Sequence, residues 1–201
     1  MTRLLLASAN PGKLEEMRAL LEDLKAELVT PSELGLVVEI EESGNTYADN
    51  AIIKAQTCAR LSGLLSLGDD SGLEVDALGG LPGIRSARYS PKPGATDADR
   101  RQYLLEQLAG YPRPWTARFR CTVALATPGD DLYIIEGVCP GEVIPEERGQ
   151  NGFGYDPILL LVELGLTMAE LPTQTKNRLS HRGRAIQAAL PILTELISRV
   201  G

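Results

Sequence analysis

The chain has one histidine, one tryptophan, two phenylalanines and three cysteines among its 201 residues, and nowhere a run of eighteen apolar residues. The missing apolar run excludes a membrane-spanning helix. Residues 1–8 also reach the polar Asn10 too soon for the hydrophobic stretch of a secretory signal, so a soluble, cytoplasmic protein with no membrane partner is expected. Cys58, Cys121 and Cys139 are odd in number, widely spaced and in no pairing typical of zinc. They read as buried, reduced thiols without a catalytic role. Surplus positive charge is absent as well: the formal net charge is −7, which opposes non-specific binding to DNA or RNA.

What is present suits one α/β domain spanning residues 1–201, large enough for a sizeable core or for two lobes sharing a sheet. Residues 3–7 read as a buried strand, and Leu14, Met17, Leu20, Leu21 and Leu24 then recur on one face of a helix starting near Pro11. A short strand follows at 26–30. Thr46 is placed to cap a helix that runs to about Leu61 and ends at Gly63. Residues 97–108 read as a helix, and 118–127 and 132–138 as two strands joined by the turn Pro128, Gly129, Asp130, Asp131. An apolar run at 158–162 and a last helix from about Ser180, expected to kink at Pro191, complete a mixed sheet.

Chemistry concentrates in five stretches. Asp69, Asp70, Ser71 and Gly72 follow the apolar run 64–68. Adjacent carboxylates next to a buried strand resist desolvation, so a fold keeps them most readily where a cation or a reacting proton uses them; a plain acidic turn is the alternative. Ser8, Ala9, Asn10, Pro11, Gly12 and Lys13 open the first helix, where free N–H groups and a lysine attract phosphate. Glu41 or Glu42 could add oxygen ligands to the Asp pair, and carboxylates without matching His or Cys favour Mg²⁺. Lys54, on the next helix, is either a phosphate contact or a surface lysine. Phe153, Gly154, Tyr155 and Asp156 lie in a glycine loop where an aromatic ring could stack on a nucleobase. Finally Lys176, Arg178, His181, Arg182 and Arg184 form a basic cluster with no acid from 171 to 194. Such a cluster at a helix start calls for an anionic or acceptor-rich ligand.

The order of these motifs, Ser-Ala-Asn-Pro-Gly-Lys, Glu-Ser-Gly-Asn-Thr-Tyr-Ala-Asp-Asn-Ala, Asp-Asp-Ser-Gly-Leu, Gly-Gly-Leu-Pro-Gly-Ile-Arg-Ser-Ala-Arg-Tyr, Gly-Phe-Gly-Tyr-Asp-Pro and Ser-His-Arg-Gly-Arg-Ala, closely resembles the inosine triphosphate pyrophosphatase family over essentially the whole chain. Ser8-Ala9 stands where that family commonly has Thr-Gly, and Asp49 where Glu is usual. The resemblance implies an elongated mixed β-sheet with two α/β lobes flanking a nucleotide-binding cleft, in a Mg²⁺-dependent homodimer. It further implies hydrolysis of dITP, ITP and XTP to the monophosphate and pyrophosphate, with a small purine nucleoside triphosphate rather than nucleic acid as partner. By motif match, Asp70 is the proton acceptor and a metal ligand, with Glu41 a second ligand and Glu42 left open. Ser8 to Lys13 hold phosphates, and Lys54, Ser71, Phe153, Gly154, Tyr155, Asp156, Lys176, His181 and Arg182 bind substrate. Two readings compete: a pyrophosphatase of the same architecture for modified pyrimidine or standard nucleotides, and a nucleotide sensor without catalysis.

Overall fold

Leu4, Leu5 and Leu6 have no exposure, as a strand covered on both faces requires, and they form β1 (Arg3–Leu6) in a computed structural model that describes residues 2–200. β1 pairs in parallel with β2 (Glu27–Val29) and with β3 (Leu65–Val75), Leu4 lying opposite Leu28 and Leu65. β4 (Trp115–Ala126), β5 (Leu132–Val143), β6 (Leu159–Leu161) and β7 (Leu166–Thr167) complete a seven-stranded sheet of order β2-β1-β3-β4-β5-β6-β7. The β5/β6 and β6/β7 pairs are antiparallel, so the sheet is mixed, as expected. The helices are α1 (Pro11–Leu20), α2 (Tyr47–Ser62), α3 (Asp97–Leu108), α4 (Thr173–Leu179) and α5 (His181–Val200). Among the described residues no helix is long and apolar enough to cross a membrane.

Two compact units divide the chain. Unit 1 comprises Met1–Asp70, Cys121–Gly137 and Arg182–Gly201; unit 2 comprises Ser71–Arg120 and Val138–His181. In unit 1, Leu4, Leu6, Met17, Leu67, Val123, Ile186, Ala189 and Leu193 form one core. A separate seam packs Ala51, Ala55 and Ala59 of α2 on Ala124 and Ala126 of β4. In unit 2, Leu73, Leu104, Leu108, Phe119, Val143, Tyr155, Ile158 and Met168 share a core.

Local signals set several boundaries. Thr46 caps α2 in a reciprocal capping box with Asp49, and Gly63 ends the helix at φ +69°. α3 is a second capping-box helix, between Thr96 and Asp99. Elsewhere the structure departs from the pattern-based reading. The Asp pair does not end a strand: β3 runs unbroken for 11 residues through Asp69 and Asp70, because its continuation re-enters a core at Leu73 and Val75. The 118–127 and 132–138 strands are longer than their apolar patterns, beginning at Trp115 and continuing to Val143. The last helix begins at His181, as expected from about Ser180, but the short helix α4 that precedes it, ending where Ser180 turns extended at φ −66°, ψ 158°, was not read from the pattern. Cys58, Cys121 and Cys139 are buried and free, and burial pushes the first two thiols up to about 11 and about 12.

Helix α2 comes close to the sheet at Gly68. A Cβ there would lie 2.5 Å from the Ala51 carbonyl oxygen and 2.8 Å from the Ala55 amide nitrogen, both backbone atoms of α2. Gly68→Ala should therefore destabilise the protein by about 1–3 kcal/mol through overpacking. Urea denaturation checks this; an unchanged midpoint at unchanged slope would refute the close contact.

Candidate active site

Side chains alternate across a strand, so the two neighbouring carboxylates of β3 point to opposite faces. Asp69 shares its face with Leu65 and Leu67, whereas Asp70 shares the face of Gly68, under α2. The two carboxylates therefore differ in their nearest partners, although Lys13 and Lys54 act on both.

Asp69 has no exposure. Its Oδ2 accepts from Arg182 Nε at 3.2 Å and Nη2 at 3.1 Å, and lies 3.1 Å from Lys13 Nζ. The remaining guanidinium edge, Nη1, is bound by Glu16 of α1. Burial alone would raise the Asp69 carboxyl, but Lys13, Arg182 and Lys54 outweigh it and hold the group well below the usual carboxylate range. Arg182 is pushed up by the same pairing, Asp69 and Glu16 overcoming its desolvation. Oδ1 of Asp69, also buried, has no hydrogen-bond partner among the described residues.

Asp70 is 5% exposed, and Asn50 Nδ2 donates to its Oδ2 at 3.0 Å. Lys54 Nζ stands 3.6 Å from Oδ1, but is bound more closely by Glu42 Oε1 at 2.6 Å and by the Asp69 carbonyl oxygen at 2.8 Å. Here burial wins: it exceeds the pull of Lys54, Lys13 and Asn50, Glu42 adds to it, and the Asp70 carboxyl is raised. Lys54 is raised despite its desolvation, because Asp69, Asp70 and Glu42 surround it. One strand thus carries a carboxylate locked as an anion beside one that retains affinity for a proton, the division of labour of an acid-base site.

The donors available to a metal ion are the hard oxygens of Asp70 and Glu42, which meet at Lys54. No group of three or more His, Cys, Asp or Glu forms a ready cage among the described residues. Two carboxylates without a cage suit Mg²⁺, which keeps waters and is completed by substrate phosphates. The segment 36–42 leading into this site alternates: Val38 and Ile40 pack on the core while Val37 is 91% exposed. That phase turns Glu42 inward to Lys54 and leaves Glu41 exposed.

Unit 1 also carries the turn from Ser8 to Lys13, expected from the sequence to meet phosphate. Asn10 caps α1 by accepting from the Lys13 amide at 3.1 Å, and Ser8 Oγ accepts from the Asn10 amide at 3.2 Å. Ala9, Pro11 and Gly12 complete this turn, with the Gly12 amide in the first turn of the helix, where no carbonyl of the ladder reaches it. Lys13 is not a mobile surface charge, since Asp69 holds it. Lys54 is buried rather than on the surface.

In unit 2, Asp156 is 4% exposed and Lys176 6%, and they pair at 2.6 Å. Asp156 Oδ2 also accepts from the Phe153 amide at 2.9 Å, and Lys176 Nζ lies 5.5 Å from the Phe153 ring centroid. A side chain on Gly152 would occupy the place of the Asp156 carboxylate and the Lys176 ammonium. His181 stacks on Phe119 with centroids 4.7 Å apart and planes at 24°. Ser71 is half-buried in β3 just beyond Asp70. Two of the expected site residues have further side-chain partners. Tyr155 is a core residue whose hydroxyl donates to the Ser86 carbonyl at 2.9 Å, so Phe153, half-buried, is the ring of this loop that remains available for stacking. Arg182 is 1% exposed and committed to Asp69 and Glu16, so it fixes the acidic cluster.

The motif reading passed over Glu16 and gave Asn50 no role of its own, whereas it read Asp69 with Asp70 as one acidic pair. Both Glu16 and Asn50 had a periodic signal. Glu16 lies one turn from Lys13 on α1, and Asn50 and Lys54 fall on the inward stripe of α2 with Tyr47, Ala51, Ala55 and Cys58.

The folded-state pKa of Asp69 lies below its unfolded value. Its contribution to stability is therefore complete above about pH 4 and lost as the pH falls through the depressed folded value. The stability gap between the wild type and Asp69→Asn should narrow steadily below pH 4; a gap that stays constant from pH 7 to pH 2.5 in denaturation curves would sink the assignment of a buried, ion-paired carboxylate.

The Ham1 family profile matches residues 4–192. A dITP/XTP pyrophosphatase from Desulforamulus reducens is 45% identical over 195 residues, covering 96% of each chain. One of the same name from Geobacter sulfurreducens is 46% identical over 187 residues, covering 92% of this chain and 94% of the relative. Among solved structures, a HAM1 protein from Coxiella burnetii superposes with a TM-score of 0.87 at 45% identity, covering 97% of this chain and all of the other. With a match across nearly its whole length, the chain belongs to the Ham1 family.

Proposed function

We propose that this chain hydrolyses non-standard purine nucleoside triphosphates, dITP, ITP and XTP, to the monophosphate and pyrophosphate with Mg²⁺, acting as a cytoplasmic homodimer that clears deaminated purines from the nucleotide pool. The observation that carries the reading is the opposed pair of carboxylates on β3, one locked as an anion and one raised, in a chain whose relatives are named dITP/XTP pyrophosphatases.

In this reading unit 1 acts on the triphosphate. Ser8 to Lys13 supply hydroxyl, amide and ammonium donors to phosphate oxygens, and the start of α1 favours their charge. Asp70, oriented by Asn50 and with its proton affinity raised, takes the proton of the water that attacks the α-phosphorus. Asp69 never titrates in the cycle; it keeps Lys13 and Arg182 in place. Asp70, with Glu41 or Glu42, would hold Mg²⁺, and the inward phase of segment 36–42 favours Glu42. When bound, the ion neutralises phosphate charge as pyrophosphate departs. In unit 2, Phe153 stacks on the purine, Gly154 lets the loop come close to it, and Lys176, steadied by Asp156, and His181 supply donors that favour a 6-oxo group over a 6-amino group. Ser71, next in the strand to Asp70, contributes to nucleotide binding.

A panel of triphosphates assayed with Mg²⁺ by pyrophosphate release tests the assignment. The expected result is a preference for dITP, ITP and XTP over dATP of about 100-fold or more in kcat/KM. Equal turnover of dATP, turnover of modified pyrimidine nucleotides alone, or binding without hydrolysis would replace it with one of the competing readings. Asp70→Asn should keep nucleotide affinity and lose about 100- to 10,000-fold in kcat. Glu41→Gln and Glu42→Gln, titrated with Mg²⁺ side by side, identify the second ligand as the variant with the raised metal requirement.

A further inference from the structure

Gly154 sits in the middle of the loop that carries Phe153, at φ +62°, and has no side chain by which to be held. Its position depends on its two backbone polar groups, and both are taken by one turn of α3. The Gly154 amide donates to Asp97 Oδ2 at 2.7 Å, and Arg101 Nη1 donates to the Gly154 carbonyl at 2.7 Å. Asp97 and Arg101 are four residues apart on the helix, so they project side by side. A carboxylate accepting from an amide and a guanidinium donating to a carbonyl are both charge-assisted, stronger than neutral pairs of the same geometry.

The holders are themselves held. Arg101 makes a two-pronged pair with Glu147, Nε to Oε1 at 2.8 Å and Nη2 to Oε2 at 2.9 Å, and Glu147 lies two residues before the loop's first glycine, Gly149. The second oxygen of Asp97 accepts from Arg100 Nη1 at 2.5 Å. Asp97 opens a helix whose start is fixed by the Thr96–Asp99 capping box and whose far end is sunk in the core through Leu104 and Leu108. On either side of Gly154 the chain is pinned independently, the Phe153 amide by Asp156 and the Tyr155 hydroxyl by the Ser86 carbonyl. Removal of the Asp97 and Arg101 contacts would leave those anchors and the core in place, while freeing the peptide that aims the Phe153 ring.

We propose that Asp97 and Arg101, with Glu147 behind them, are positioning residues for base recognition, which hold Gly154 so that Phe153 presents its ring before a nucleotide arrives. This rests on the purine-binding role given above to the loop. Preorganisation of this kind acts on binding of the base and leaves the phosphate chemistry of unit 1 untouched.

Asp97→Ala and Arg101→Ala should each raise KM for dITP about tenfold, with kcat within about threefold of wild type. Affinity for inosine monophosphate should fall by the same factor, while inhibition by pyrophosphate stays unchanged. Hydrogen exchange at the Gly154 amide should quicken at least tenfold in Asp97→Ala. Arg101→Lys, which can still reach the carbonyl, should recover part of the KM. A loss confined to kcat, an equal loss of pyrophosphate affinity, or an unchanged KM overturns the proposal. If an alanine variant fails to fold, Arg101→Lys and Glu147→Gln carry the same test, and an unchanged KM in both overturns it. Wild-type turnover separates the two levels: should another triphosphate prove the better substrate, the assigned purine specificity fails, and the same KM comparison on that substrate still judges the positioning role.

Discussion

A carboxylate with no exposure in the middle of a strand stays charged only if cations reach it, since desolvation costs several kcal/mol per ion even after relaxation. Asp69 satisfies this with Lys13 from α1 and Arg182 from α5. That one requirement ties together segments at positions 13, 69 and 182, and Glu16 closes the loop by binding the far edge of the guanidinium. Ion pairs of this type are weak contributors to net stability, because similar apolar packing often does as well. What this one supplies is geometry: it fixes Lys13 at the helix start proposed to meet phosphate and ties β3 to α1 and α5. A slip of one residue would exchange the faces of Asp69 and Asp70 and put each against the wrong partners.

The register then decides the chemistry. Asp69 and Asp70 are adjacent in the sequence, yet the pleat assigns them to different faces with different degrees of compensation. Lys54 spends its closest contacts on Glu42 and the Asp69 carbonyl and stands farther from Asp70. The less compensated carboxylate is the one whose proton affinity rises. Gly68 permits this arrangement, because only a residue without Cβ lets α2 come near enough for Asn50 and Lys54 to reach the strand.

Much of this was legible from the residues. Helix α3 and the caps of α2 follow directly from capping and periodicity, and the Asp pair, the Asn10 turn and the glycine loop announce themselves by composition. What local pattern could not give was direction. Whether Tyr155 or Phe153 is the available ring depends on a hydroxyl finding the Ser86 carbonyl 69 positions away. That Arg182 faces inward depends on Asp69, 113 positions away. Strand β3 runs through the acids because its continuation has a core of its own to enter at Leu73, a fact of packing rather than of propensity. Period-2 alternation in 36–42 did contain the distinction between Glu41 and Glu42, but only once the burial of Val38 and Ile40 sets its phase.

Charge balance connects the cluster to the proposed reaction. Among the groups named, Glu16, Glu42, Asp69 and Asp70 bring four negative charges and Lys13, Lys54 and Arg182 three positive ones. The surplus negative charge falls at Asp70, where burial raises the carboxyl and the pull of Lys54 and Lys13 does not cancel it. A bare triphosphate approaching this surplus, on a chain of net charge −7, is repelled. In the proposed reaction a divalent ion held by Asp70 would offset part of the charge on both sides, so the imbalance of one charge couples entry of the triphosphate to the metal.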